Sequence, residues 1–160
     1  MIVYHGSIAK IEHPLVDIGR KNLDFGQGFY VTDIREQATL WASRLAERKG
    51  TPAIVNIYEL DIERVRQNFR YFCFDAYDEQ WLQFIVNCRQ GEDDWRQYDV
   101  IEGGVANDRV IDTLEAYMAG LMPLNYALIE LAKHQPNNQL CITNQMVVDT
   151  CLTFVEDKLC

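Results

Sequence analysis

Apolar and polar residues fall into short blocks along this chain, and the spacing within each block predicts an element. Residues 2–5, Ile-Val-Tyr-His, read as a strand, and a loop follows through Pro14 to Asp24. Residues 28–32 read as a second strand. Asp33 with Glu36 three residues on has the form of a capping box. The helix behind it runs to about Lys49, with Ala38, Trp41, Ala42 and Leu45 on one face, and Gly50 stops it. Residues 53–60, rich in β-branched side chains, give the clearest strand. Residues 71–74 suggest a short strand. Trp81, Leu82, Ile85 and Val86 give helical spacing to residues 78–89.

The second half continues in the same way. Residues 91–95 form an acidic turn around Glu92-Asp93-Asp94, and residues 98–101 look like a buried strand ending at Gly103-Gly104. Residues 107–119 are helical by pattern, through Val110, Ile111, Leu114 and Met118. Residues 124–134 supply another helix after Pro123. A turn at Pro136-Asn137-Asn138 leads into a strand at 139–143, and residues 150–155 form a last strand. Strands and helices mix without a regular βαβ alternation, so the expected class is α+β. No repeat, low-complexity tract or Pro/Ser-rich linker divides residues 1–160, which therefore read as one domain.

Composition narrows the function more than the fold. A hydrophobic content of 48% and a charged content of 24% suit a globular protein. No run approaches the roughly 18 apolar residues of a membrane span, and no basic-then-apolar signal segment opens the chain, so the expected location is cytoplasmic with no membrane partner. A net charge of -9 argues against broad binding to a nucleic-acid backbone. The charge is uneven, however. Lys10, Arg20, Lys21, Arg35, Arg44, Arg48 and Lys49 roughly balance the acids of the first fifty residues, which leaves room there for an anionic ligand.

The five cysteines, Cys73, Cys88, Cys141, Cys151 and Cys160, form no CxxC pair, and Cys73, Cys141 and Cys151 sit among apolar neighbours. Reduced thiols in a core are the expected state. His5, His13 and His134 lack ligand spacing, so no metal is expected.

Two motifs carry candidate chemistry. In Tyr4-His5-Gly6-Ser7, an imidazole at a strand end stands beside a backbone without a Cβ, which a ligand can approach closely. A surface histidine before a turn glycine is the plainer reading. In Asp24-Phe25-Gly26-Gln27-Gly28-Phe29-Tyr30, glycines lead into a strand tyrosine, with Trp41 eleven residues on in the next helix. Two such rings can hold a flat cation between them, or both can simply be core aromatics. The Asp-Phe-Gly run lacks the other kinase motifs, and Gly26-x-Gly28 enters a strand where a dinucleotide fingerprint opens a helix.

Together the two motifs resemble the nicotinamide pocket of the ADP-ribosyltransferases of the diphtheria-toxin and poly-ADP-ribose-polymerase branch. The chain looks most similar to compact bacterial domains of unknown function related to that superfamily (DUF3990-like). The resemblance implies a split β-sheet core with flanking helices and a mono-ADP-ribosyltransferase that uses NAD as substrate, without a metal. It implies that His5 holds the adenosine ribose, that Gly6 meets the nicotinamide amide, and that Tyr30 and Trp41 stack the ring, with Ser7 and Gly28 alongside. The serine usual between the two aromatics is replaced by Ala38, with Thr39 or Ser7 as substitutes. Arg20, Lys21 or Arg35 would meet the diphosphate.

The catalytic glutamate of the polymerase branch corresponds to Gln139, in Asn138-Gln139-Leu140-Cys141-Ile142, giving a triad of His5, Tyr30 and Gln139. A polar residue leading from a turn into a strand is the alternative. A neutral glutamine keeps a hydrogen bond, loses the charge that steadies an oxocarbenium-like centre, and cannot act as a base. Relatives lacking the glutamate transfer a single ADP-ribose when the acceptor brings its own carboxylate, or are silent. Hence a silent NAD-binding or protein-interaction domain is the competing expectation. Asp24, Asp99, Glu102 and Asp108 are the candidate carboxylates near strand ends to take over the glutamate's function. Gly103-Gly104-Val105-Ala106-Asn107-Asp108 is similar to an element of the bacterial family, which makes Asn107 and Asp108 a secondary site; a helix cap is the plainer reading. The acceptor is open between protein, nucleic acid and small molecule. A toxin-like role, with a neutralising partner protein, is implied only at the level of the family.

Overall fold

The computed structural model describes residues 1–134 and 137–160. Strand β1 (Ile2–Ser7) leads through a long loop, with a 3-10 turn at Val16–Ile18, into β2 (Phe29–Val31) and helix α1 (Arg35–Lys49). Then come β3 (Ile54–Leu60), α2 (Ile62–Asn68), β4 (Tyr71–Cys73) and α3 (Glu79–Arg89). After a second 3-10 turn at Asp94–Gln97 the order is β5 (Val100–Gly103), α4 (Asp108–Met118), α5 (Leu124–Leu131), β6 (Gln139–Ile142), α6 (Gln145–Cys151) and β7 (Leu152–Leu159).

The class is α+β, with helices flanking two sheets. The first sheet has strand order β1-β3-β7 and is antiparallel throughout. The second has order β2-β6-β5-β4, antiparallel except for the parallel β4–β5 pair. A single bridge ties β1 to the end of β2: Tyr4 and Thr32 exchange backbone hydrogen bonds of 2.7 and 2.9 Å. This junction is what brings His5 beside Tyr30.

Period-2 alternation sorts the side chains into layers. Val3, Tyr58 and Leu60 from the first sheet and Phe29, Val31, Val100, Leu140 and Ile142 from the second form one core between the sheets. Helix α1 covers the outer face of the first sheet, where Ala38 and Ala42 pack on Val55 and Ile57. Helices α3, α4 and α5 cover the second sheet through Trp81, Ile85, Leu114 and Leu131, against Phe25, Ile101 and Cys141. Burying each such large side chain contributes about 1.5–3 kcal/mol.

The predicted elements recur with three corrections. Asp33 does not cap α1: Ile34 holds the cap position without a side-chain hydrogen bond. The Ile34 amide is taken by Thr32 Oγ1 at 3.1 Å, and Asp33 instead accepts from Asn138 Nδ2 at 3.2 Å. Helices α2 and α6 were not anticipated; Asp61 and Asn144 cap them. Cys73, expected in the core, is exposed on β4, because alternation turns it away from its apolar neighbours. Cys88, Cys141 and Cys151 are buried, and all five cysteines are free. Pro136, part of the expected turn, lies outside the described residues. Among the described residues no helix is long and apolar enough to cross a membrane.

Candidate functional site

A cleft of about 980 Å³ opens between the end of β1, the β1–β2 loop, β2 and one face of α1. Its walls include His5 and Gly6 of β1, Gly28 and Tyr30 at β2, Trp41 of α1, and Gln139, the first residue of β6. These residues come from four separate stretches of chain, and Val105 before α4 adds a fifth. Pairing of β2 with β6 sets Tyr30 opposite Cys141, so Gln139, two residues before Cys141, shares the face of Tyr30.

His5 is held by its neighbour strand. Its Nδ1 lies 2.7 Å from the Tyr30 carbonyl oxygen, and its ring sits 4.5 Å from that of Phe29. A carbonyl only accepts, so Nδ1 carries the proton. Burial pushes the imidazole pKa below its ordinary 6.5, outweighing the opposing pull of that hydrogen bond. The ring is therefore neutral near pH 7, with Nε2 an acceptor. Such an atom suits a ligand hydroxyl.

Tyr30 offers its ring, since its hydroxyl is committed. The oxygen accepts from the Phe25 amide at 3.0 Å and donates to the Gly26 carbonyl at 2.7 Å, tying the β1–β2 loop to β2. Burial, with smaller help from Cys141 and Asp24, raises its pKa well above 10, so it stays protonated. Trp41, half-buried, faces the same cleft from α1.

The two glycines of the walls serve packing as much as ligand approach. A Cβ on Gly6 would overlap the Ala38 carbonyl oxygen and lie 2.8 Å from the Ala42 amide nitrogen, so glycine is what lets α1 sit on β1. A Cβ on Gly28 would lie 2.6 Å from Cys141 Sγ. The reading of Gly6 as a residue that clears space for a ligand therefore needs this second cause beside it.

The β1–β2 loop forms the remaining wall, and its backbone is held by side chains from distant elements. Asn56 of β3 accepts from the Ile11 amide and donates to the Ala9 carbonyl, at 2.8 and 3.0 Å. Tyr58 donates to the Ile11 carbonyl at 2.6 Å. Gln145 of α6 donates to the Pro14 carbonyl and accepts from the Val16 amide, both at 3.0 Å. Gln27 donates to the carbonyls of Asp17 and Gly19 at 2.6 and 2.8 Å. Asn56, Tyr58 and Gln145 do not stand out in the sequence, because each acts over 45 to 131 residues.

Charge around the cleft is opposite to that of the chain. Arg20 on the loop and Arg44, Arg48 and Lys49 on α1 all line it. Of these only Arg20 was among the expected diphosphate contacts; Arg35 and Lys21 are exposed elsewhere. The α1 cations carried a signal, since 41, 44 and 48 follow helical spacing from Trp41. Of the four candidate carboxylates, Asp24 alone lines the cleft. It is clamped by Arg89 Nε and Nη2 at 2.9 and 2.6 Å and by the Ala106 amide at 3.2 Å. Asp99 is occupied by Arg70 and Asn144, which together hold its carboxyl below the ordinary range despite burial. Glu102 bonds Tyr71 and Asn138 and shares the sheet face of Leu140, its cross-strand partner.

Gln139 is 3% exposed, and its Nε2 is buried without a hydrogen-bond partner among the described residues. Ser7 is buried outside the lining, where it accepts from the Ala9 amide at 3.3 Å. Asn107 caps α4 through the Arg109 and Val110 amides, and Asp108 pairs with Arg44 at 2.7 Å on the surface. Neither Asn107 nor Asp108 lines the cleft, though Val105 does. Among the described residues no cluster of three or more His, Cys, Asp or Glu could hold a metal.

A family model described as "Protein of unknown function (DUF3990)" matches residues 1–154. The chain belongs to the DUF3990 family. No curated protein and no solved structure matches it. In this DUF3990 chain the family match spans every wall of the cleft, from His5 to Gln139.

Proposed function

We propose that this DUF3990 domain binds NAD in the cleft and transfers its ADP-ribose to an acceptor. The observation that supports this reading is the meeting of His5, Gly6, Tyr30, Trp41 and Gln139 in one cleft with a cationic rim. The nicotinamide ring lies between Tyr30 and Trp41, where each aromatic face attracts its positive charge by about 1–2 kcal/mol when desolvated. His5 Nε2 accepts from a ribose hydroxyl. Arg20, Arg44, Arg48 and Lys49 face the diphosphate. In the reaction the bond from ribose C1′ to the nicotinamide nitrogen breaks and nicotinamide leaves with the electron pair. The acceptor's nucleophilic atom bonds C1′, and any proton that atom carries passes to solvent. Gln139 orients the ribose without supplying charge.

The test is direct. NAD and nicotinamide should each raise the melting temperature, and NAD should release nicotinamide in the presence of acceptor. Gln139→Glu should raise NAD hydrolysis, because a carboxylate stabilises the oxocarbenium-like centre. No thermal shift with either ligand removes the reading altogether.

A second reading, a silent NAD-binding module, is favoured by the neutral Gln139 and by the commitment of Asp24 to Arg89. It wins if NAD binds and no nicotinamide is released with any acceptor class, whether protein, nucleic acid or small molecule.

A further inference from the structure

Among the described residues, two buried side-chain atoms lack a hydrogen-bond partner: Gln139 Nε2 and Gln37 Oε1. Native interiors pair about nine in ten such groups, so two orphans in one neighbourhood call for an explanation. The atoms are complementary, one a donor and one an acceptor.

Their neighbourhood is fixed by Asn138. Gln37 Nε2 donates to the Asn138 carbonyl at 2.8 Å, which settles which end of that amide is oxygen. Thr32 Oγ1 donates to the same carbonyl at 2.7 Å. The Asn138 side chain is held by Glu102 Oε1 at 2.9 Å and Asp33 Oδ1 at 3.2 Å. Gln139 is the next residue. Gln37 also stands one helical turn before Trp41, on the α1 stripe that continues to Arg44 and Arg48 along the cleft. Gln139 lines the cleft, and Gln37 lies behind that lining, joined to it through the Asn138 carbonyl.

We propose that Gln37 and Gln139 together bind one hydroxyl of the ribose that carries nicotinamide. Gln139 Nε2 donates to the hydroxyl oxygen, and the hydroxyl hydrogen goes to Gln37 Oε1. A hydroxyl is a small neutral group that accepts and donates at once. The soft terminal torsion of glutamine lets each amide turn toward it. Gln37 then determines specificity for a ribosylated ligand over the free base. This rests on the NAD reading above.

The experiment compares Gln37→Met with wild type, using NAD and nicotinamide as probes. NAD affinity should fall about 3- to 10-fold, the net worth of one hydrogen bond, while nicotinamide affinity holds. Wild type should also lose about 3- to 10-fold for the 2′- or the 3′-deoxy analogue of that ribose, a measurement independent of how the variant folds. If wild type binds NAD but neither deoxy analogue nor Gln37→Met weakens it, the two amides serve a buried water and the inference falls while the NAD reading stands. Equal losses for NAD and nicotinamide in Gln37→Met, with both deoxy analogues binding as NAD does, overturn it too. If wild type binds neither NAD nor nicotinamide, the NAD reading fails and takes the inference with it.

Discussion

Gly6→Ala puts one methyl group where α1 meets β1. Its Cβ would overlap the Ala38 carbonyl oxygen and lie 2.8 Å from the Ala42 nitrogen, and both are backbone atoms that no rotamer change can move. Ordinary contact requires about 3.5 Å, so α1 must retreat by roughly 1 Å. A gap of that size forfeits a quarter to a half of the dispersion energy across the contact. Ala38 and Ala42 are wholly buried there, against Val55 and Ile57. Overpacking of this kind costs about 1–3 kcal/mol, and the rigid partners place this site near 3. For a chain of this size that corresponds to a melting temperature lower by about 6–12 °C. The retreat also carries Trp41 away from Tyr30, so nicotinamide affinity should weaken about tenfold, the worth of one stacked face. Differential scanning calorimetry and quenching of tryptophan fluorescence measure the two effects. A melting temperature within about 1 °C of wild type would show that α1 is not seated on β1 as described.

Tyr30→Phe keeps the ring and removes the hydroxyl that serves the Phe25 amide and the Gly26 carbonyl. It should cost about 2 kcal/mol of stability while nicotinamide affinity changes less than about threefold; the reverse pattern would mean the hydroxyl touches the ligand. For His5, the folded pKa lies below the ordinary 6.5, so its contribution to stability is complete above pH 6.5 and is lost as pH falls through the folded value. Melting curves between about pH 8 and pH 5 should therefore fall more steeply for wild type than for His5→Gln, and parallel curves would contradict the lowered imidazole pKa.

How much of this could be read from the sequence depended on the range of the interaction. Helix α1 shows its period in Ala38, Ala42 and Leu45 and its end in Gly50, all local signals. Helix α2 is seven residues long, too short for a period to assert itself, although Asp61 stands at its start as a capping residue. Helix α6 is disguised, since Val147 and Val148 carry a strand-like composition straight into β7. The same division holds in the cleft. His5, Gly28 and Tyr30 interrupt strands and so draw notice. Asn56, Tyr58 and Gln145 look ordinary, and matter only because folding brings the β1–β2 loop to them. Gln37 was hidden by its neighbour: a reader looking for a serine between two aromatics stops at Ala38, one residue further along the helix.

What the cleft lacks is as instructive as what it holds. Breaking a glycosidic bond to nicotinamide leaves positive charge on the ribose, and a preorganised anion is the strongest way to meet it. Asp24 is near, but its oxygens are taken by Arg89 and the Ala106 amide, and both partners of the ion pair are largely out of water. Freeing Asp24 would leave Arg89 as an uncompensated buried charge, at about 3–5 kcal/mol. That cost makes Asp24 a brace between the β1–β2 loop and the turn before α4, and a poor substitute for a catalytic carboxylate. Gln139 is neutral at any pH. The anion that such a transfer needs must then arrive with the acceptor, so acceptors bearing a carboxylate should react where simple alcohols do not.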